Sequence, residues 1–184
     1  KVSIAQNYIN IGNVYDKQSD FAGAMNAYQT ALKYYEEAGS KRGIAGCYNN
    51  MGLTFNEQKN FTEAYKNVSA SLNIFEEIGD KRGIAGKLMN IGSILSEQAA
   101  FEKRPATDSK YSESLQYINK SLPLAKELKA MGLIKDIYEL LAITHERMND
   151  YRKALEYKTL FIEYKDSLMN DETTRKLEQQ RTQY

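Results

Sequence analysis

Residues 80–92 read DKRGIAGKLMNIG and repeat, with a shift of 40 positions, the sequence SKRGIAGCYNNMG of residues 40–52. Three glycines, Gly12, Gly52 and Gly92, keep the same period, and each follows Asn-Ile or Asn-Met. A fixed period between about 20 and 50 residues is the signature of a stacked array of structural repeats. The stretch therefore predicts that the chain is a helical repeat protein.

The composition agrees with this fold class and excludes several functions. Two prolines, no tryptophan, 42% hydrophobic and 27% charged residues among 184 suit a soluble, mostly helical chain. A net charge of +1 argues against a nucleic-acid reader, which usually carries a basic excess. Cys47 is the only cysteine, so neither an intrachain disulfide nor a Cys-rich metal site can form. No apolar run approaches the roughly 18 residues of a membrane span, so no membrane contact is expected.

Apolar and small residues at helical spacing divide the chain into hairpins of two helices. Gly39 stands where a left-handed residue would end a helix, and Ser40 suits the N-cap of the next one. The predicted repeats cover about residues 3–39, 40–79, 80–129 and 130–168. The remaining residues 169–184 predict a C-terminal helix or the start of a coiled coil, since Leu177 and Tyr184 are seven apart.

The third repeat is longer than the others. The small residue of the first helix precedes the aromatic residue of the second by nine positions in repeats one, two and four, but Gly92 precedes Tyr111 by 19. About ten residues are therefore inserted within 99–110, around Phe101 to Lys110. A loop of this kind either extends a binding face or is simply a tolerated insertion.

The repeated positions resemble the tetratricopeptide repeat (TPR) family, in a long variant of 40 residues instead of the usual 34. The first repeat matches its pattern at Tyr8, Ile11-Gly12, Tyr15, Ala24 and Ala31, and the second at Tyr48, Met51-Gly52, Phe55, Ala64 and Ser71. Small residues occupy the same position in the first helix of each repeat, namely Gly12, Gly52, Gly92 and Ala142. The matching position in the second helix holds Ala24, Ala64 and Ala154, and in the third repeat Ser114. The resemblance implies an all-α, right-handed superhelix of about four helix hairpins plus a C-terminal helix, whose inner face, lined by the first helix of each hairpin, binds ligands.

Asn10, Asn50 and Asn90 recur two positions before the repeated glycines. Asparagine has a low intrinsic helix propensity, so its recurrence within helices needs another explanation. The TPR resemblance implies that this position faces the groove and bonds the backbone of an extended peptide, with Asn13 and Asn56 adding to the same surface. The alternatives are an asparagine that bonds the linker of its own repeat, or one merely inherited by duplication.

Two further features of the TPR family bear on the partner. The family's clamp for a terminal carboxylate needs basic residues where Ile9, Gly86 and Asn90 stand, so a chaperone-tail clamp is not expected. The pairs Lys41-Arg42 and Lys81-Arg82 open two first helices, where cations oppose the helix dipole. They indicate either an acidic partner or solvated linker charges.

No residue pattern indicates catalysis. His145, the sole histidine, occupies the family's tyrosine position and is expected to pack, and Cys47 is expected to be a small helix residue. The chain has no Walker loop, dinucleotide fingerprint or metal-spaced cluster. We therefore predict a non-enzymatic module without cofactor, metal or catalytic residue, whose partner is a protein or peptide ligand and not a nucleic acid.

Residues 161–168 (FIEYKDSL) and the polar helical stretch after them resemble the junction in bacterial TPR sensor proteins, where repeats feed a coiled coil. A membrane helix and a histidine kinase, DNA-binding or cyclase output commonly follow there. The resemblance implies the sensor region of a signal-transduction protein, periplasmic if a transmembrane helix follows, with dimerisation through a C-terminal coiled coil in the parent protein. The alternative is a cytoplasmic scaffold or adaptor without transmembrane coupling.

Overall fold

Eight α-helices pack as four consecutive hairpins in the computed structural model, which describes residues 1–182 and the side chains of residues 1–170. The helices are α1 (Val2–Lys17), α2 (Phe21–Glu37), α3 (Lys41–Glu57), α4 (Phe61–Glu77), α5 (Lys81–Phe101), α6 (Ser109–Glu127), α7 (Met131–Arg147) and α8 (Tyr151–Thr182). Each hairpin packs on its neighbours in the chain, as expected of a solenoid. The predicted all-α fold of stacked hairpins is confirmed.

The helix ends explain the long period. In the second repeat, helices of 17 residues alternate with connections of three residues, which together give 40. Gly39 follows α2 with a φ of 64°, and the Ser40 hydroxyl accepts a hydrogen bond of 3.3 Å from the backbone N–H of Gly43, as predicted. Asp80 caps α5 in the same way by accepting from Arg82 and Gly83.

The insertion of the third repeat lengthens a helix before it forms a connection. Helix α5 has 21 residues and ends at Phe101, and α6 begins at Ser109. The Phe101 ring packs against Phe61 of the preceding hairpin at a centroid distance of 5.6 Å. Arg104 then pairs with Glu102 at 2.8 Å. The insertion is thus an extra helical turn followed by a short connection.

Close packing inside each hairpin depends on the small repeated residues. A Cβ added to Gly52 would lie 2.6 Å from Val68 Cγ2 and 3.1 Å from the Ala64 carbonyl oxygen, so α3 and α4 could not keep their separation. Gly92 occupies the same place against Ile118 and Ser114 in the third hairpin. Glycine is required here by close approach and not by an unusual backbone angle.

The array curves toward its first helices. Besides its neighbours in the chain, α1 contacts α3 and α5 contacts α7, whereas the second helices show no contact of similar extent within residues 1–182. First helices are therefore closer together than second helices, and α1, α3, α5 and α7 line the inner face. This is the face on which the predicted ligand-binding asparagines should lie.

Helix α8 runs without interruption from Tyr151 to Thr182. Residues 169–182 therefore continue the last helix and do not form a separate one. The predicted coiled-coil spacing between Leu177 and Tyr184 lies outside the residues whose side chains the structure describes. Across residues 1–182, none of the helices combines the length and apolar character that a membrane crossing requires.

Candidate ligand-binding groove

Four asparagine side chains on the inner face form one hydrogen-bonded row, which we call the amide network: Asn13, Asn49, Asn50 and Asn90. Asn90 Nδ2 donates to Asn49 Oδ1 at 2.8 Å, and Asn49 Nδ2 to Asn50 Oδ1 at 3.4 Å. Asn50 Nδ2 lies 3.5 Å from Asn13 Oδ1, which also accepts from the Tyr28 hydroxyl at 2.9 Å. The network joins α1, α3 and α5 across two repeat boundaries.

The other two predicted groove residues lie apart from this row. Asn10 is exposed on α1 and its Oδ1 accepts from Gln6 Nε2 at 3.3 Å. Asn56, near the end of α3, donates to Glu97 at 3.0 Å, while its own Oδ1 is buried and has no partner among the described residues. The structure thus brings Asn13, Asn50 and Asn90 together and leaves Asn10 and Asn56 at separate places.

Asn49 was missed from the sequence although it links the two halves of the network. It is buried, and its counterparts in the neighbouring repeats are the apolar residues Ile9 and Met89. The prediction started from the asparagines that recur every 40 residues, Asn10, Asn50 and Asn90, and Asn49 does not recur. The sequence signal that could have identified Asn49 is a polar residue at a position that is apolar in the other repeats.

A cleft of about 320 Å³ lies where α1 meets α3. Its walls include Ile9 and Gln6 from α1, Gly46 and Asn50 from α3, and Arg42 at one edge. A Cβ added to Gly46 would meet no atom within 4 Å, so packing inside the chain does not require glycine at this place. The cleft combines an apolar wall, an amide and a cation.

A second cleft of about 210 Å³ lies where α5 meets α7. Asn90 and Ser93 line it from α5, and the carboxylates of Asp136 and Glu139 line it from α7. Asp136 pairs with Lys135 at 3.0 Å, whereas Glu139 has no ion pair within the described side chains. The two clefts therefore differ in charge, with a cation at the first and carboxylates at the second.

The repeated lysines are used inside the array. Lys41 pairs with Glu77, Lys81 pairs with Glu127 at 2.6 Å, and Lys1 makes the equivalent pair with Glu37 at 3.1 Å. Each pair joins the start of a first helix to the end of the second helix in the same hairpin. Arg42 likewise pairs with Asp80 of the next repeat at 2.7 Å. These contacts favour a structural role over an acidic partner.

His145 and Cys47 both sit in packed surroundings. The His145 ring stacks on Tyr157 at 5.4 Å, and its Nδ1 lies 3.4 Å from the Asp150 carboxylate. Burial lowers the pKa of His145, and the charge of Lys153 adds to this effect. Burial raises the pKa of the Cys47 thiol to about 12, so it is protonated at neutral pH and is a poor nucleophile.

Stacked hairpins with small residues at each crossing and an inner face lined by first helices define a TPR-like helical repeat protein. The family model described as soluble NSF attachment protein (SNAP) matches residues 3–92, which form the first two hairpins and part of α5. No curated protein sequence matches the chain.

Solved structures support the same class. Aspartyl phosphate phosphatase F from Bacillus subtilis superimposes with a TM-score of 0.78 over 91% of this chain and 42% of its own, at 16% identity. A Rap protein complexed with Competence and Sporulation Factor gives 0.76 over 92% and 45%, also at 16% identity. BtubC from P. vanneervenii gives 0.71 over 89% and 64%, again at 16% identity. The chain spans less than two thirds of each of these proteins, and the likeness is one of fold.

Proposed function

We propose that this chain is a non-enzymatic binding module that holds an extended segment of a protein or peptide along its inner face. The observation that carries the proposal is the amide network, which places Asn13, Asn50 and Asn90 in one row across three first helices. An amide side chain offers both a donor and an acceptor, which is what a peptide backbone needs from its binding site. The contacts within the row, 2.8 Å between Asn90 and Asn49 and 3.4–3.5 Å at Asn50, restrict these side chains before a ligand arrives.

Two glycines on the same face support an approaching main chain. Gly46 and Gly86 lie one turn before Asn50 and Asn90, hence on the same side of their helices. A Cβ at either position would meet no other atom within 4 Å. Because glycine in a helix interior costs about 1 kcal/mol relative to alanine, its retention here is not explained by stability. The absence of a side chain at Gly46 and Gly86 would leave room for the backbone of a bound ligand, which explains glycine at these positions.

The charges of the two clefts give the proposed ligand a direction. Arg42 lies at the α1–α3 cleft, whereas Asp136 and Glu139 line the α5–α7 cleft. Because Arg42 already pairs with Asp80, whereas Glu139 has no ion pair among the described side chains, an extended segment would place a basic group toward the second cleft. Since Glu139 has no ion pair among the described side chains, Glu139→Gln should reduce both the affinity for a basic ligand and its salt dependence.

The structurally similar Rap protein was solved in complex with Competence and Sporulation Factor, which agrees with a binding role for this fold. A sensor role is a second candidate, favoured by the length of α8, which has 32 residues where α7 has 17. A ligand in the α5–α7 cleft would shift α8 only if it bound two arrangements of the array with different affinities. The sensor hypothesis and the alternative of a scaffold without transmembrane coupling both stay predictions.

The test is a display screen of random linear 12-residue peptides, run on the wild type and on a triple variant with alanine at Asn13, Asn50 and Asn90. Selected peptides should bind the triple variant at least about tenfold more weakly, since each lost hydrogen bond contributes about 0.5–1.5 kcal/mol. Circular dichroism and the melting midpoint must first show that the triple variant is folded.

A matched control replaces three exposed asparagines on second helices, Asn26, Asn73 and Asn119, with alanine. These changes alter the same residue type outside the inner face and should leave peptide affinity unchanged. Equal affinity of all three proteins would refute the proposed role of the amide network. Loss of binding in the control as well would show that the peptides recognise a different surface.

A further inference from the structure

The cleft between α5 and α7 has the size and lining of a pocket for one long side chain. Its volume of about 210 Å³ is smaller than the roughly 300–1,000 Å³ of pockets that take drug-sized molecules. Met89 of α5 and Leu140 and Ile143 of α7 give it apolar walls. Asp136 and Glu139 are three positions apart on α7 and therefore lie on one side of that helix. This combination suits a side chain that is aliphatic along its length and cationic at its tip.

The polar groups of the cleft offer mainly hydrogen-bond acceptors. The Ser93 hydroxyl donates its only hydrogen to Glu97 Oε1 at 3.0 Å. Asn90 Nδ2 donates to Asn49 at 2.8 Å, and Asn90 Oδ1 accepts from no described side chain. Glu139 makes neither a hydrogen bond nor an ion pair within the described part of the chain. Acceptors on both helices therefore remain open to a ligand group that carries several N–H donors.

The two carboxylates of the cleft differ in how far the chain already neutralises them. Asp136 Oδ1 pairs with Lys135 Nζ at 3.0 Å. Glu139 is half-buried, and no described cation lies within ion-pair distance of it. A cationic ligand group would thus gain an ion pair with Glu139 without breaking one inside the array.

A guanidinium group fits these acceptors better than an ammonium group does. Guanidinium is planar, presents five N–H donors in a fixed fork and is weakly hydrated, whereas ammonium is a compact and strongly hydrated charge. The open acceptors stand on facing helices, with Asn90 Oδ1 on α5 and Glu139 on α7, so a group with donors on opposite edges can reach both. Weak hydration also lowers the cost of leaving water for a cleft with apolar walls.

We propose that the α5–α7 cleft is a specificity pocket for one arginine side chain of the ligand. The inference rests on the proposed function, because Asn90 belongs both to the amide network and to the wall of this cleft. The arginine is carried by the ligand residue that lies beside Asn90, or by its neighbour. Its methylene groups contact Met89, Leu140 and Ile143, and its guanidinium pairs with Glu139.

The test titrates the 184-residue chain with Nα-acetyl-arginine methylamide and follows the backbone amide signals by NMR. Signals from residues 89–93 and 139–143 should shift and saturate. The corresponding lysine compound should bind at least about threefold more weakly, because its ammonium group is more strongly hydrated. The citrulline compound has nearly the same shape without the charge and should bind at least about tenfold more weakly.

Three variants test the assigned contacts. Glu139→Gln should weaken binding of the arginine compound at least about tenfold, since a charge-assisted hydrogen bond becomes a neutral one. Lys135→Gln should strengthen binding, because it removes the cation that now pairs with Asp136, and a gain of affinity does not arise from unfolding. The matched control Glu113→Gln, on the exposed side of α6, changes the net charge as Glu139→Gln does and should leave the affinity unchanged.

The proposal is overturned if the arginine compound leaves the signals of α5 and α7 unshifted. Equal affinity for the arginine, lysine and citrulline compounds, or for the wild type and Glu139→Gln, would overturn it as well. A single-residue probe does not depend on Asn13 or Asn50, so its result is independent of the peptide screen. A probe bound at the cleft, with selected peptides indifferent to the amide network, would keep the pocket and refute the groove. Peptides that need the network but show no preference for arginine would do the reverse.

Discussion

Two glycines of the same repeat motif should respond to alanine in opposite ways. A Cβ at Gly52 would lie 2.6 Å from Val68 Cγ2 and 3.1 Å from both the Ala64 carbonyl oxygen and the Val68 nitrogen. Two of these three atoms belong to the backbone of α4, so a change of rotamer cannot relieve the contact. At Gly86 a Cβ would meet no atom within 4 Å. Both residues are inside first helices, and neither has a positive φ.

The helix-propensity term is common to both substitutions and favours alanine by about 1 kcal/mol. Gly52→Ala adds the cost of overpacking, which is about 1–3 kcal/mol in a well-packed core. Gly86→Ala should therefore be more stable than the wild type, and the two variants should differ by about 1–3 kcal/mol in free energy of unfolding. For a chain of this size, each 1 kcal/mol moves the melting midpoint by about 2–4 °C.

Urea denaturation followed by circular dichroism measures both variants against the wild type. Equal stabilities of Gly52→Ala and Gly86→Ala would refute the argument, because they would show that the α3–α4 distance relaxes without cost. A stabilised Gly86→Ala that also loses affinity for selected peptides would further support the groove, since the substitution fills the space left for a ligand backbone.

Two further predictions concern a buried histidine and the connections. Because burial lowers the pKa of His145 below its ordinary 6.5, the unfolded chain takes up this proton more readily, and stability should fall as the pH drops through about 6.5. His145→Phe should reduce the loss of stability between pH 7.5 and 5.5 in urea titrations, and an unchanged pH dependence would contradict this. Lys129 adopts a φ of 49° without being glycine, so Lys129→Gly should raise the unfolding free energy by up to about 1 kcal/mol. Gly39→Ala, at a φ of 64°, should lower it, and thermal melts that place both variants on the same side of the wild type would refute the prediction.

The 40-residue period was enough to predict the fold because it reports the packing directly. Each repeat carries the same small residues at the helix crossing and the same stop at Gly39 or Gly79, so local and global signals agree. The ion pairs of Lys41 with Glu77 and of Lys81 with Glu127 could also have been anticipated. In both, the lysine is the first residue of the first helix and the glutamate is the last residue of the second helix of the same hairpin.

The parts that could not be predicted are those that break the period. Helix α5 continues to Phe101, whose ring packs on Phe61 of the preceding hairpin, although Phe101 belongs to the inserted residues and its counterpart at one period, Phe61, begins a second helix. Asn49 enters the amide network only because Asn90 of the next repeat reaches it at 2.8 Å. A repeat pattern describes what successive units share. Contacts between unlike residues of neighbouring units depend on the three-dimensional arrangement of the helices, which the pattern does not specify.

The extra turn of α5 also has a mechanical consequence. An array whose hairpins contact mainly their neighbours is elastic, and its stiffness is set separately at each boundary, or joint, between successive hairpins. Phe101 resting on Phe61 and Asn56 bonded to Glu97 brace the middle of three joints.

The outer joints, between α1 and α3 and between α5 and α7, have hydrogen bonds of their own, Thr54 to Asp16 and Arg147 to Ser96. Among the described side chains they have no contact between aromatic rings of different hairpins, so we expect more bending there than in the middle joint. The two clefts lie at those outer joints. Bending of the array would therefore open and close both ends of the groove while its centre keeps its shape.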